Sequence, residues 1–347
     1  MLVGAALIAA LALVATPGVS AAAGTVSWSA PGTVPNVGTS ATPAMTTCNG
    51  VTYMVWKGWG TDANMYYSWL DVDGSWAPQQ LVGGGGGTST GPAITCNPLD
   101  ILMVAWKGVG NDEHMYYTSA PVGGFGIGNP PSGPLTWAAQ QLASNDGVTD
   151  ASPSLAGMLN DPYGLSYLAW HVPNSQAVEI ATLTGVSGQW QTKQIVPQVV
   201  TVRSPTLTLG LTAPNGPLTL SLMFTRATTQ ANYYTNFLGG TSWSTVAPIA
   251  GGSNASPKAT AGPVDNDTND NLVVWQGSGN DTRIFYTVNL NQTGWQPQQL
   301  VTNGGPTTTG IAAADNYACI DDCYTQFQAY ITWMNPQGQI EFVHGIY

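Results

Sequence analysis

Residues 53–80 of the chain read YMVWKGWGTDANMYYSWLDVDGSWAPQQ, and this stretch contains three elements that return along the sequence. An apolar run ends at Trp56, an aromatic pair follows at Tyr66 and Tyr67, and a Trp-x-x-Gln-Gln segment begins at Trp76. The apolar run is hydrophobic on both faces of an extended strand, so it needs cover on both sides. The stretch therefore predicts the second, third and fourth strands of a stacked four-stranded unit.

The same pattern recurs five more times, wholly or in part. The apolar run returns at residues 103–106, 167–170, 222–224, 272–275 and 330–333. The Trp segment returns at Trp137, Trp190, Trp243 and Trp295, with an earlier copy at Trp28. The two elements lie 20 residues apart in three units, 19 in the fourth and 31 in the second, where residues 123–134 form an apparent surface insertion. An inner strand beginning near Pro or Gly precedes each apolar run, and four-stranded repeats of this length are typical of β-propeller blades.

The two ends of the chain determine the number of blades. The last unit stops at Tyr347 without a Trp-Gln strand, and the unmatched copy of that strand lies in residues 25–34. Pairing these residues with the strand around residues 340–344 closes the ring and removes an exposed sheet edge. We therefore predict an all-β fold: a six-bladed β-propeller with four antiparallel strands per blade, formed as a single domain by residues 24–347.

Composition excludes several classes of protein. Only 7% of the residues are charged, against roughly 25% in an average soluble protein, and 7 basic and 18 acidic residues give a net charge of −11. Aromatic residues make up 10% of the chain, which excludes an intrinsically disordered protein. Seven scattered cations cannot form a groove that follows nucleic-acid phosphates, so no nucleic-acid partner is expected.

The first 23 residues resemble a secretory leader. Residues 2–15 are apolar, residues 16–18 (Thr-Pro-Gly) interrupt the run, and small residues follow. Fourteen apolar residues are fewer than the about 20 that a membrane-spanning helix needs. The sequence predicts a secreted protein whose mature form has no membrane span, with an uncleaved membrane anchor as the alternative.

Four cysteines fit an exported protein. Cys319 and Cys323 bracket a short turn, whereas Cys48 and Cys96 occupy corresponding places in neighbouring units. We predict two disulfides, 319–323 and 48–96. A zinc site is the alternative, but the chain has neither C-x2-C spacing nor a partnering His pair, so no metal or cofactor is expected.

Three units share a loop of the form Trp-(Lys or Gln)-Gly-x-Gly-x-Asp after the apolar strand. One interpretation is a structural hairpin, in which the glycines allow a tight turn and the Asp accepts hydrogen bonds from turn amides. The other is a sugar pocket, because an aromatic plane with a few fixed donors and acceptors can bind a pyranose. The candidate sugar-binding residues are Trp56, Lys57, Trp59, Asp62, Trp106, Lys107, Asp112, Trp275, Gln276 and Asp281.

Trp59 is the most informative of these candidates. Its counterparts in the other two loops are Val109 and Ser278, so the hairpin does not require an aromatic residue there. We expect Trp59 to be an exposed stacking surface for a sugar.

The segment Ala105-Trp106-Lys107-Gly108, with Asp112, an aromatic pair and a following Trp-x-x-Gln-Gln strand, resembles the repeat of bacterial propeller lectins of the Photorhabdus-lectin type. The resemblance extends over most of residues 25–347 and is clearest in the first, second and fifth units. It implies a secreted propeller that binds fucose and related sugars in pockets between blades. Those lectins have seven blades, whereas six are predicted here, as in the fungal fucose-binding lectins.

Catalysis is not expected. Residues 71–76 resemble the Asp-box of sialidases, but the spacing is one residue short, and only three arginines are available to bind a substrate carboxylate. No nucleophile motif or distinctive pair of carboxylates is present. We therefore expect a non-catalytic, lectin-like propeller whose partners are carbohydrates or glycoconjugates. The alternative is a structural or protein-binding module of an extracellular or cell-surface assembly, including self-assembly.

Overall fold

The computed structural model describes residues 25–123, 128–144, 146–157, 164–185, 189–211, 218–252, 257–265, 268–289, 294–307, 310–315 and 328–346. In chain order its strands are β1 (Ser27–Trp28), β2 (Gly32–Gly38), β3 (Ala44–Cys48), β4 (Val51–Lys57), β5 (Met65–Trp69), β6 (Gln80–Leu81), β7 (Ala93–Asn97), β8 (Ile101–Lys107), β9 (Met115–Pro121), β10 (Gln141–Leu142), β11 (Ser154–Gly157), β12 (Ser166–His171), β13 (Val178–Leu183), β14 (Gln194–Ile195), β15 (Thr206–Leu211), β16 (Leu218–Thr225), β17 (Ala231–Gly239), β18 (Ser242–Trp243), β19 (Ala247–Gly252), β20 (Lys258–Asp265), β21 (Thr268–Gln276), β22 (Ile284–Asn289), β23 (Gln299–Leu300), β24 (Ile311–Asp315), β25 (Gln328–Met334) and β26 (Gln339–Ile346).

These strands form six antiparallel sheets, which confirms the predicted six-bladed propeller. Blade 1 consists of β3–β6, blade 2 of β7–β10, blade 3 of β11–β14, blade 4 of β15–β19 and blade 5 of β20–β23. Blade 6 takes β24–β26 from the end of the chain and β1 and β2 from its beginning. The inner strands β3, β7, β11, β15, β20 and β24 contact one another in that order, and β24 contacts β3, so the ring is closed.

The outer Trp strand has the same register in the blade that closes the ring as in blade 1. In blade 1, Trp76 pairs with Leu70, and in blade 6, Trp28 pairs with Gly345. The residue after each Trp donates its backbone N–H to a third-strand carbonyl: Ala77 to Trp69 at 2.9 Å, and Ser29 to His344 at 2.8 Å. The N-terminal segment is therefore the fourth strand of blade 6, as the sequence predicted.

The core lies between adjacent blades rather than at one centre. All seven residues of β4 are buried, as expected for a strand covered on both faces. At the junction of blades 1 and 2, Trp137 packs edge-on against Tyr67, with ring centroids 5.3 Å apart. The Tyr67 hydroxyl also accepts a hydrogen bond from the Leu135 backbone N–H at 2.6 Å. The outer strand of blade 2 is thus held by the preceding blade as well as by its own sheet.

The same contact joins blade 6 to blade 5. Trp28 packs edge-on against Tyr286 at 5.4 Å, and the Val26 backbone N–H donates to the Tyr286 hydroxyl at 3.1 Å. Blade 1 makes the corresponding aromatic contact with blade 6, because the Trp76 ring lies edge-on to the Phe342 ring with their centroids 6.0 Å apart. The N-terminal strand is therefore packed like an internal strand.

Cys48 and Cys96 form a disulfide with a Cα–Cα distance of 5.2 Å, which confirms this predicted pair. The bond joins the inner strands of blades 1 and 2, and it removes both sulfurs as thiolate ligands for a metal. Cys319 and Cys323 lie outside the described residues, so their pairing stays a prediction, and so does the leader over residues 1–23. The described residues include no helix of the length and apolarity that a membrane crossing requires.

Candidate functional site

The Trp-Lys-Gly-x-Gly-x-Asp loops form the turns between the second and third strands of blades 1 and 2. Lys57 is buried, and its ammonium donates to the Ser40 hydroxyl at 2.8 Å and to the carbonyls of Gly58 and Gly60 at 3.1 and 2.9 Å. Lys107 makes the same set of hydrogen bonds in blade 2. Burial lowers the pKa of Lys57, and the neighbouring Asp62 only partly opposes this effect. These ammonium groups tie the turn to the strand entering their own blade.

The carboxylates of the loops are also occupied by local partners. Asp62 accepts hydrogen bonds from the Asn64 backbone N–H at 3.0 Å and the Tyr66 hydroxyl at 2.9 Å, and the backbone bond is the main reason why its pKa is lowered. In blade 5, Asp281 accepts two hydrogen bonds from the Arg283 guanidinium at 2.9 and 2.8 Å, and this pairing lowers the pKa of Asp281. Asp112 repeats the tyrosine contact of Asp62 at 3.0 Å. The Asp residues therefore stabilise the hairpins.

The three tryptophans that precede these turns are fully packed. Trp56, Trp106 and Trp275 have at most 1% of their surface exposed. Each stacks on a third-strand aromatic ring, and a glycine from the preceding blade-to-blade segment also covers Trp106 (Gly86) and Trp275 (Gly251, in β19). At Gly251, for example, an added Cβ would lie 2.6 Å from the Trp275 ring. Gln276 is buried as well and donates to the Thr307 carbonyl at 2.9 Å. None of these four residues offers a side-chain face to solvent in this structure.

Trp59 differs from the other nine candidates because 53% of its surface is exposed. Its indole ring lies against Gly338, in the β25–β26 turn of blade 6, and its Cβ lies close to Gly38. The ring therefore also covers the junction where blades 6 and 1 meet, a contact outside the hairpin itself. One side of the indole remains accessible.

The structure brings together a different group of residues at the outer junction of blades 2 and 3. The Lys193 ammonium lies 3.3 Å from the Glu179 carboxylate and 3.6 Å from the Asp146 carboxylate. These groups line a cavity of about 520 Å³, together with Trp190 and Ile195. Trp190 is buried edge-on against a tyrosine of blade 2, whereas 66% of the Ile195 surface is exposed. The cavity combines an ion pair, a second carboxylate and an apolar wall.

Sequence analysis missed Glu179 because the third unit departs from the repeat around its apolar strand. The register shows that Glu179 pairs with Trp170 where Tyr66 pairs with Trp56 in blade 1. Blade 6 also has an acid at this position, Glu341, but it accepts a hydrogen bond from the Asn335 side chain at 2.9 Å. An acid in place of a stacked aromatic residue is the sequence signal that could have identified the cavity.

Comparisons with solved structures support the fold. The chain matches AofleA from Arthrobotrys oligospora with a TM-score of 0.64 and 14% identity, over 92% of this chain and 86% of that one. It matches a mutant of Aleuria aurantia lectin, solved with α-methyl-L-fucoside, with a TM-score of 0.57 and 13% identity, over 87% and 90% of the two chains. NanB, solved with Optactamide, matches with a TM-score of 0.61 and 10% identity, over 90% and 69%.

No protein-family model matches the sequence, and no curated protein matches it significantly. The chain thus shares its β-propeller fold with fucose-binding lectins at low sequence identity. The resemblance to the Photorhabdus-lectin type in particular has no support beyond the repeat itself.

Proposed function

We propose that the protein is a secreted, non-catalytic, carbohydrate-binding propeller. The observation that supports this proposal most directly is the cavity between blades 2 and 3, which places Glu179 and Lys193 beside an apolar wall. Its volume of about 520 Å³ lies within the range of small-molecule sites, about 300–1,000 Å³. The similarity to lectin structures adds support at the level of the fold.

The chemistry of the cavity suits a monosaccharide or a terminal sugar. The Glu179 carboxylate accepts hydrogen bonds from sugar hydroxyls, and the Lys193 ammonium donates to them, so the pair can bind two adjacent hydroxyls. The exposed side chain of Ile195 supplies apolar surface for the C–H face of the ring, whereas Trp190 lines the cavity but is itself buried. Such groups distinguish hydroxyl positions, which an apolar pocket alone does not do.

The hairpins contribute to the proposal through one residue. Trp59 retains the exposed aromatic surface that stacking on a sugar needs, whereas the Lys and Asp side chains beside it stabilise the turn. We propose Trp59 as a second, weaker contact at the junction of blades 6 and 1. Two separate contacts on one rigid ring would raise the avidity for a multivalent glycan.

The ion pair favours binding over hydrolysis. A glycosidase of the usual type needs one carboxylic acid that is protonated when the substrate binds. The two carboxylates of the cavity, Glu179 and Asp146, instead share one ion-pair partner, the Lys193 ammonium. The fold alone does not separate these two functions, so the side chains of the cavity are what distinguish them.

Calorimetric titration of methyl glycosides tests the proposed site. We expect Glu179→Gln and Lys193→Met to weaken binding at least about tenfold, because hydrogen bonds to charged groups contribute about 1.5–3 kcal/mol. Glu341→Gln is the matched control: it changes the same register position in blade 6 and should leave the affinity unchanged. Equal sugar affinity in wild type and Glu179→Gln, with both proteins equally stable, would remove the cavity from the proposal.

One observation favours the alternative function of a protein-binding or self-assembling module. Four outer strands expose an aliphatic side chain at the same register position: Leu81, Leu142, Ile195 and Leu300. Sedimentation over a range of concentrations tests this alternative. Self-association that Leu81→Ser or Leu142→Ser abolishes would support assembly through the rim.

A further inference from the structure

The inner strands surround a narrow channel on the axis of the ring. Its cavity measures about 60 Å³, and residues from all six blades line it. A buried water needs about 10–15 Å³ on this measure, so the channel has room for about four waters or one small ion with waters. Sites for organic ligands are several times larger. The channel is therefore too small for a sugar and is distinct from the cavity between blades 2 and 3.

Three hydrogen-bond donors line this channel without an acceptor among the described residues. The ammonium of Lys258, the first residue of β20, makes no hydrogen bond or ion pair with any described residue. Thr206 is only 4% exposed, and its hydroxyl has no hydrogen-bond partner there. The Ser154 hydroxyl accepts a hydrogen bond from the Leu207 backbone N–H at 2.8 Å, which leaves its own O–H free to donate. All three residues line the same cavity.

The described lining of the channel carries one positive charge and no carboxylate. Apart from Lys258, the lining residues are apolar, Ser or Thr. Lys258 is half-buried and has no counter-charge among the described lining residues, and desolvation lowers the pKa of its ammonium to about 8. In a chain of net charge −11, the channel is thus a local region of positive potential.

We propose that the central channel binds one small monovalent anion, of about the size of chloride, between the Lys258 ammonium and the hydroxyls of Thr206 and Ser154. A single ammonium balances a single negative charge, and the hydroxyls supply the remaining donors. The volume restricts the ligand to a halide or a similarly small anion. Such an ion would neutralise Lys258 and link the inner strands of blades 3, 4 and 5. This inference does not depend on carbohydrate binding.

Crystals of the full chain grown or soaked in sodium bromide give the direct test. We expect an anomalous-scattering peak in the channel, in contact with the Lys258 ammonium. Bromide sites elsewhere with only water in the channel would overturn the proposal.

Thermal denaturation tests the same site in solution. Wild type should melt at a higher temperature in bromide than in gluconate at equal ionic strength, since gluconate is too large for the channel. Lys258→Met should abolish this shift, and Thr206→Val should weaken bromide affinity about tenfold, as expected for a lost hydrogen bond to a charged group. Arg226→Met removes a positive charge outside the channel and should retain the shift.

An equal bromide shift in wild type and Lys258→Met would contradict the proposal. If Lys258→Met does not fold, Thr206→Val and the wild-type bromide crystal still decide the question. Because none of these measurements involves a sugar, their failure leaves the carbohydrate proposal unaffected.

Discussion

Trp28→Ala tests whether the N-terminal strand closes the ring. Trp28 is 7% exposed, packs on Tyr286 and lies over Gly345 in its own sheet. Replacing a buried Trp with Ala costs about 3–5 kcal/mol, because the large side chain is lost and a cavity remains. The indole also belongs to the apolar core that blades 5 and 6 share. We therefore expect a stability loss within that range.

The loss converts into a measurable melting shift. An unfolding entropy of about 2.1 cal/mol/K per residue gives roughly 0.7 kcal/mol/K for about 320 residues, so about 3–5 kcal/mol lowers Tm by about 4–7 °C. Differential scanning calorimetry at one scan rate can resolve such a shift. The exposed residue Val72 supplies a baseline, since Val72→Ala should change Tm by less than about 1 °C.

Trp76→Ala is the matched control. Trp76 occupies the same register position in blade 1, where the strand is part of a continuous chain, and it is 6% exposed against 7% for Trp28. If the N-terminal strand is an integral part of blade 6, the two substitutions lower Tm by similar amounts. A large effect of Trp76→Ala with almost none of Trp28→Ala would refute the closure of the ring by this strand.

Three further outcomes follow from the structure. Reduction of the Cys48–Cys96 disulfide should lower the free energy of unfolding by about 4 kcal/mol, because the bond closes a loop with a sequence separation of 48. Denaturant unfolding with and without reductant measures this loss, and equal stability in the two conditions would contradict the structural role of the bond. Tyr67→Phe should cost about 1–3 kcal/mol, because the buried Leu135 N–H loses its acceptor, and a loss below about 0.5 kcal/mol would contradict the contact between blades. Because the pKa of Lys258 is lowered to about 8, the cost of its charge is present below pH 8 and disappears as pH rises toward 10.5. In halide-free buffer, the free energy of unfolding of wild type should therefore rise by at most about 3 kcal/mol relative to that of Lys258→Met between pH 8 and 10.5. Parallel pH profiles of the two unfolding free energies would contradict this.

The repeat predicted those features that depend on chain spacing. The 20-residue separation of Trp56 and Trp76 corresponds to the second and fourth strands of one blade, and the unmatched Trp28 completes the last blade. The pairing of Cys48 with Cys96 followed from their corresponding positions in two units. Spacing is informative here because each blade is a local run of antiparallel hairpins.

Contacts between blades could not be predicted in this way. The Tyr67 hydroxyl binds an amide 68 residues away, and the Tyr286 hydroxyl binds one 260 residues away, so no local pattern reveals either contact. The candidate site was the feature that the sequence predicted least well, because a conspicuous motif such as Trp-Lys-Gly can stabilise a turn as easily as it can bind a ligand. Glu179 and Lys193 form a pair only after the strands of blade 3 are aligned, and each stands where the repeat has another residue, an aromatic residue and a Gln respectively.

A glycan array probed with the purified protein tests the central claim most directly. We predict binding to a defined set of terminal sugars, with fucosylated and methylated glycans as the first candidates, and loss of that binding in Glu179→Gln but not in Glu341→Gln. Absence of binding to every glycan by a folded protein with the Cys48–Cys96 disulfide intact would contradict the carbohydrate-binding function and favour the protein-binding alternative.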